Sequence, residues 1–178
     1  TPSFAVKSTA ELIRNIIHPS AVVVSVAKGI ERDTYKIFPD VIAGVLRNHI
    51  VVLSGPSHAE EVARSIQTAI IAASRNEMAA KLVQRVFMND TLRVYTTPDV
   101  IGVSVGGALK NIIAIAIGIC DGMQLGDNAK AALMTRGLTE IARLGVAMGA
   151  QAETFAGLSG IGDLIVTCTS YHSRNRRA

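Results

Sequence analysis

The chain has 178 residues, of which 49% are hydrophobic and 18% are charged, and its formal net charge is +4 at pH 7. This length and hydrophobic content predict a folded globular chain and exclude a disordered one. The charge suits a small anionic ligand but is low for a nucleic-acid-binding protein, and aromatic residues that could stack on bases make up only 4%.

Three further classes of protein are disfavoured by simple patterns. The longest apolar run, residues 112–120, is far shorter than the roughly 20 residues that cross a bilayer, so no membrane span is predicted. The two cysteines and four histidines lack metal-ligand spacing, which predicts free thiols and no metal site. No signal-peptide pattern opens the chain, so a cytoplasmic protein is expected.

Helical and strand-like patterns alternate along the first hundred residues. Helices are predicted over residues 7–17, 37–47 and 78–87, and strands over residues 21–27, 50–54, 68–74 and 92–96. Apolar, β-branched runs without alternation are typical of strands buried on both faces of a parallel sheet. The order therefore predicts an α/β fold with a parallel or mostly parallel sheet. No Gly-x-Gly-x-x-Gly follows a strand, so the usual dinucleotide fingerprint is absent.

Two of the predicted strands end in candidate ligand-binding groups. Lys28 follows the first strand, at the edge where open α/β sheets bind ligands, although an exposed turn lysine is the alternative. The second strand runs into Gly55 and Ser57, which predict a tight turn and a helix beginning near Ser57, with Glu60 completing a capping box. The free amides of that turn favour an anion, but capping alone would equally account for Ser57.

After Pro98 the pattern is helical only. In the helix predicted over residues 102–120, Lys110 shares a face with Gly102, Gly106 and Gly107, where either a ligand or another backbone could approach. Lys110 either extends to the surface or lies in a pocket where desolvation lowers its pKa. A second helix is predicted from about residue 126 to 149.

The last segment carries two polar groups. Three glycines over residues 157–162 precede Asp163, which is either a ligand-binding carboxylate or a helix N-cap. Ser173, Arg174 and Asn175 together offer a hydroxyl, a guanidinium and an amide, a set that suits a phosphate monoester. The alternative is a solvated basic segment.

Four motifs, at residues 53–61, 106–111, 126–133 and 160–170, closely resemble those of the bacterial-type NAD(P)-dependent glycerol-3-phosphate dehydrogenase family. The resemblance covers nearly the whole chain in order. It implies the C-terminal part of a Rossmann-like dinucleotide-binding domain over residues 1–100 and the start of a helical substrate and catalytic domain over residues 101–178. The chain is thus expected to be the middle section of a longer enzyme.

The resemblance also implies a function. It implies interconversion of sn-glycerol 3-phosphate and dihydroxyacetone phosphate with NAD or NADP, in support of glycerophospholipid synthesis, with Lys110 exchanging the proton of the C2 hydroxyl. The implied substrate-binding residues are Lys28, Gly55, Ser57, Lys110, Asp163, Ser173, Arg174 and Asn175, and the implied cofactor-binding residues are Lys28, Ala59 and Arg174.

Two alternatives to this function stay open. One is a related dehydrogenase of the hydroxyacid or 6-phosphogluconate type. The other is a catalytically silent fragment whose glycine-faced helix is a packing surface. A small phosphorylated substrate is the expected partner, and a homodimer is left open.

Overall fold

The computed structural model describes residues 1–177, which contain four strands and nine α-helices. The strands are β1 (Val23–Ser25), β2 (Ile50–Ser54), β3 (Thr68–Ala73) and β4 (Leu92–Thr97). The helices are α1 (Val6–Ile13), α2 (Phe38–Ala43), α3 (Ala59–Val62), α4 (Glu77–Phe87), α5 (Val100–Gly122), α6 (Gly126–Ala147), α7 (Ala152–Phe155), α8 (Asp163–Thr169) and α9 (Arg174–Arg177). A π-helical turn, Leu158–Gly162, leads into α8.

The four strands form one sheet in the order β1-β2-β3-β4. The pairs β1–β2 and β3–β4 are parallel, which confirms a mostly parallel sheet, whereas β2 and β3 are antiparallel. The short connection explains this exception. Helix α3 has only four residues, so it advances about 6 Å and cannot carry the chain back along a strand of about 17 Å.

Several predicted boundaries are wrong for local reasons. Helix α1 ends at Ile13, four residues earlier than predicted, and β1 keeps only three of its seven predicted residues. The Asn48 side chain donates to the carbonyl of Ala21 at 2.8 Å, so a side chain takes this acceptor just before β1 begins. The capping box is also wrong, because α3 starts at Ala59 and the Ser57 hydroxyl bonds to the Gly55 carbonyl instead.

The sheet is packed on both faces. Along β2, Val51 and Val52 point to opposite sides, because successive residues of a strand alternate. Val51 joins a core that includes Val83 of α4, and Val52 joins a core that includes Val103 of α5 and Phe155 of α7. Burial on both faces explains why the strands are apolar throughout.

Helix α5 is the central element of the second half. Its 23 residues begin after Asp99, whose carboxylate accepts the Gly102 amide at 2.8 Å. One helix among residues 1–177, α5, is long and apolar enough to cross a membrane, but 56% of its most apolar window is buried inside the protein. It also carries the buried Lys110, so the packing favours a core helix, and the absence of a membrane span stays a prediction.

Candidate functional site

The Lys110 side chain lies in the interior, 7% exposed. Its amine donates to the carboxylate of Asp163 and to the hydroxyl of Thr167, the latter at 2.7 Å. Since both partners belong to α8 and the side chain is buried, Lys110 points into the packed side of α5 and not toward solvent. Of the two sequence-based alternatives, the structure shows the buried one.

The glycines beside Lys110 are in contact with other parts of the protein. A Cβ at Gly106 would overlap the carbonyl oxygen of Ser159, so the turn before α8 fills that side of α5. A Cβ at Gly107 would lie 3.5 Å from the Lys28 side chain. The glycines therefore allow a close backbone approach that brings the start of α8, and with it Asp163, up to Lys110.

Asp163 is shared by two lysines. The Lys28 amine donates to one of its carboxylate oxygens at 2.7 Å and lies 3.5 Å from the Gly55 carbonyl oxygen, while Lys110 holds the other oxygen. Asp163 is 1% exposed and is the first residue of α8, but its side chain makes no capping bond to that helix. The N-cap interpretation of Asp163 is therefore wrong. A lysine from the sheet edge and a lysine from α5 meet at one buried carboxylate.

This arrangement changes the protonation of Lys110. The pKa of its amine is lowered from the ordinary 10.5 to about 8, first by burial and then by the positive charge of Lys28, while Asp163 opposes both effects. A lysine whose pKa lies near 8 can both accept and release a proton close to neutral pH, as general acid–base chemistry requires. The nearby Cys168 is different, because burial raises the pKa of its thiol to about 11 and so disfavours a thiolate.

Thr167 belongs to this cluster but was missed at the sequence level. Its hydroxyl donates to the Asp163 carbonyl at 2.6 Å and accepts the Lys110 amine. The signal was present, since residues four apart in a helix share a face and Thr167 follows Asp163 by four positions in α8.

Gly55, Ser57 and Ala59 lie on the turn that follows β2. Gly55 has φ +136°, and a Cβ there would lie 3.1 Å from the backbone of Ile70, so both the turn and the packing favour glycine. Ser57 and Ala59 are exposed, and among residues 1–177 no hydrogen bond joins them to Lys110 or Asp163. The structure therefore brings Gly55 to the lysine cluster through Lys28, and leaves Ser57 and Ala59 at its edge.

Ser173, Arg174 and Asn175 lie next to α5 at the start of α9. The Asn175 amide donates to the side chain of Asn111 at 2.7 Å, and Asn111 is the neighbour of Lys110. Ser173 is buried, whereas Arg174 is exposed. The pKa of Glu60 on α3 is lowered mainly by a backbone hydrogen bond, with smaller contributions from nearby positive groups that include Arg174. The predicted phosphate-binding set thus joins α5 one residue from Lys110, through the bond between Asn175 and Asn111.

Two family models match this chain. They describe the N-terminus and the C-terminus of NAD-dependent glycerol-3-phosphate dehydrogenase and match residues 1–80 and 99–178 respectively. The chain belongs to the NAD-dependent glycerol-3-phosphate dehydrogenase family. Within residues 1–177 no group of three or more His, Cys, Asp or Glu side chains is arranged to hold a metal ion.

Curated relatives carry the same family name. The chain is 59% identical over 177 residues to glycerol-3-phosphate dehydrogenase (NAD(P)+) of Moorella thermoacetica, covering 99% of this chain and 53% of the relative. It is 53% identical over 180 residues to the corresponding protein of Fusobacterium nucleatum, covering 99% of this chain and 54% of the relative. The chain therefore spans about half the length of the curated relatives it matches.

Solved structures of the family share the fold. The crystal structure of glycerol-3-phosphate dehydrogenase from Coxiella burnetii superposes with a TM-score of 0.95 at 42% identity, covering 99% of this chain and 55% of that one. The yeast enzyme superposes with a TM-score of 0.86 at 28% identity, covering 98% of this chain and 53% of that one. The predicted fold, a partial Rossmann-like sheet followed by helices, is confirmed.

Proposed function

We propose that the chain carries the proton-transfer and substrate site of a glycerol-3-phosphate dehydrogenase, an oxidoreductase that interconverts sn-glycerol 3-phosphate and dihydroxyacetone phosphate. The observation that carries the proposal is the buried Lys110 amine, whose pKa is lowered to about 8 and whose position is fixed by Asp163 and Thr167. Family membership supplies the substrate, which the curated relatives name.

Each charged group of the cluster has a distinct task in this proposal. Lys110 in its neutral form accepts the proton of the C2 hydroxyl during oxidation, and its ammonium form returns that proton during reduction. Asp163 keeps the Lys110 amine in place through a charge-assisted hydrogen bond. Lys28 lowers the proton affinity of Lys110 and offers a second cation to the substrate.

The chain fits one end of a nicotinamide cofactor. NAD or NADP, when bound, accepts or supplies the hydride at C2. The chain offers it the Lys28 amine and, at the carboxyl end of β2, the buried Ser54 hydroxyl, which has no hydrogen-bond partner among residues 1–177. The sequence lacks a Gly-x-Gly-x-x-Gly loop, so the pyrophosphate has no such cradle in these residues.

The remaining roles belong to the same proposal. All strands of the described chain end by residue 97 and α5 begins at residue 100, which supports a dinucleotide-binding part over residues 1–100 and a helical substrate part over residues 101–178. The cytoplasmic location, a role in glycerophospholipid synthesis and the homodimer stay predictions. The proposed substrate-binding residues are Lys28, Gly55, Ser57, Lys110, Asp163, Ser173, Arg174 and Asn175, and the proposed cofactor-binding residues are Lys28, Ala59 and Arg174.

The decisive experiment is Lys110→Ala in the complete gene product. We expect NADH oxidation with dihydroxyacetone phosphate to fall by at least about 100-fold, because general acid–base catalysis contributes that much or more. Circular dichroism checks that the variant is folded. The matched control is Lys81→Ala, which removes an exposed lysine of α4 that pairs with Glu77.

Two outcomes would contradict the proposal. If Lys110→Ala keeps the turnover of the wild type, Lys110 is not the proton-transfer group. If initial rates are faster with 6-phosphogluconate or a simple 2-hydroxy acid than with glycerol 3-phosphate, the proposed substrate is wrong.

A further inference from the structure

Arg176 fastens α9 to the rest of the protein. Its Nε donates to the Asp121 carboxylate at 2.8 Å, its Nη1 donates to the Thr169 carbonyl at 2.7 Å, and its guanidinium lies 5.3 Å from the centre of the Tyr171 ring. Asp121, at the C-terminal end of α5, also pairs with Lys130 of α6 at 2.8 Å. One carboxylate therefore joins α5, α6 and α9.

The backbones of α5 and α9 also touch. A Cβ at Gly118 would overlap the carbonyl oxygen of Arg176, so this approach requires a glycine. Seven residues earlier, on the same face of α5, Asn111 accepts the amide of Asn175. Helix α9 thus lies along one stripe of α5, held at Asn111, Gly118 and Asp121.

These contacts fix the position of the α9 segment against α5. Ser173 at its start is fixed in the same way, because its Oγ accepts the backbone amide of Arg176 at 3.3 Å. The contacts of Arg176 with Asp121 and Thr169 therefore also set the orientation of Ser173, Arg174 and Asn175.

We propose that Asp121 and Arg176 are positioning residues that aim Ser173, Arg174 and Asn175 at the phosphate of the substrate. The inference rests on the proposed function, in which those three side chains bind the phosphate. Asp121 and Arg176 do not touch the substrate themselves. They act by keeping α9 in its binding orientation before the ligand arrives, which reduces the ordering that binding would otherwise require.

The test is isothermal titration of glycerol 3-phosphate into the complete gene product and its variants. Asp121→Ala and Arg176→Met are expected to weaken binding by about 10- to 100-fold, since the three phosphate-binding side chains must then be ordered when the ligand binds. Asp121→Asn should restore part of the affinity, because its amide oxygen still accepts the Arg176 Nε–H. The apparent pKa in the rate profile of both variants should stay near 8, because Lys110 keeps its surroundings.

Two controls separate this proposal from the proposed function. Arg174→Ala removes a proposed phosphate-binding group directly and should also weaken binding. Arg143→Met removes an exposed arginine that pairs with Glu140 on α6 and should leave the affinity within about 2-fold, as expected for a surface pair.

Each outcome decides one of the two proposals. If Arg174→Ala weakens binding while Asp121→Ala and Arg176→Met bind like the wild type, the positioning role is overturned and the proposed function stands. If Arg174→Ala binds normally, the phosphate site of the proposed function is wrong. If Asp121→Asn unfolds, or shifts the apparent pKa in the rate profile, Asp121 and Arg176 stabilise the fold as a whole, and the positioning role is overturned.

Discussion

Replacing Lys110 with methionine should change the free energy of unfolding by an amount that depends on pH. Methionine keeps a long side chain in the same space but carries no charge. Burial, aided by the charge of Lys28, lowers the pKa of Lys110 from 10.5 to about 8, so the folded state disfavours the ammonium form. At about 1.4 kcal/mol per pH unit, the difference between these values corresponds to about 3 kcal/mol.

The direction follows from proton binding. Below pH 8 the Lys110 amine is protonated in both the folded and the unfolded state, and the whole penalty is present. Between pH 8 and 10.5 the unfolded state holds the proton and the folded state does not, so the free energy of unfolding of the wild type rises with pH. Relative to the wild type, the free energy of unfolding of Lys110→Met should therefore be highest near pH 7 and fall by about 1 kcal/mol between pH 8 and 9, because the folded wild type is still half protonated at pH 8.

Urea denaturation of both proteins between pH 6.5 and 10 measures this difference. Burial raises the pKa of the Cys168 thiol to about 11 against a smaller opposing effect of Lys110, which destabilises the folded state above pH 9, so the difference that tests the prediction is read between pH 7 and 9. Lys81→Met, at an exposed position, should show a difference that does not vary with pH. A pH-independent difference for Lys110→Met would refute the buried, proton-releasing lysine described above.

Three further predictions concern the same region. The rate of glycerol 3-phosphate oxidation should rise through pH 8 as Lys110 loses its proton, and dihydroxyacetone phosphate reduction should fall there; initial rates from pH 6 to 10 that stay flat would contradict this. Asp99→Ala removes the acceptor of three hydrogen bonds and should lower the free energy of unfolding in urea by about 2–4 kcal/mol, and a loss below 1 kcal/mol would show that the cap matters little. Gly106→Ala should lower both the melting temperature and turnover, because its Cβ meets the Ser159 carbonyl oxygen, whereas Gly122→Ala, whose Cβ meets nothing within 4 Å, is the control that should leave both nearly unchanged.

Local sequence patterns predicted much of the fold. The spans of β2, β4 and α4 came close to the observed ones because apolar periodicity and breakers are local properties of the chain. The antiparallel pairing of β2 and β3 could not be predicted this way, since periodicity carries no information about strand direction. The direction of β3 depends on the short helix α3 that connects it to β2. That helix was predicted to begin two residues too early.

The sequence pointed to individual residues of the candidate site but not to the contacts between them. The glycines and apolar neighbours of Lys110 left two positions open for its amine, the surface or a buried pocket, because the pattern of one helix does not show what packs against it. The bonds from Asp163 to Lys110 and to Lys28 join residues that are 53 and 135 positions apart. No local pattern specifies contacts over such separations, so the sequence alone did not exclude a helix cap at Asp163, which the structure does.

Asp163 binds Lys28 at the edge of the sheet and Lys110 in α5. The proton affinity of Lys110 therefore depends on the contact between the sheet and the helices. If the sheet moved away from α5 and α8, Lys28 would recede and water would reach Lys110, and each change would return the amine toward the behaviour of a free lysine. Contact between the sheet and the helices is therefore part of what makes Lys110 able to act as a base near neutral pH.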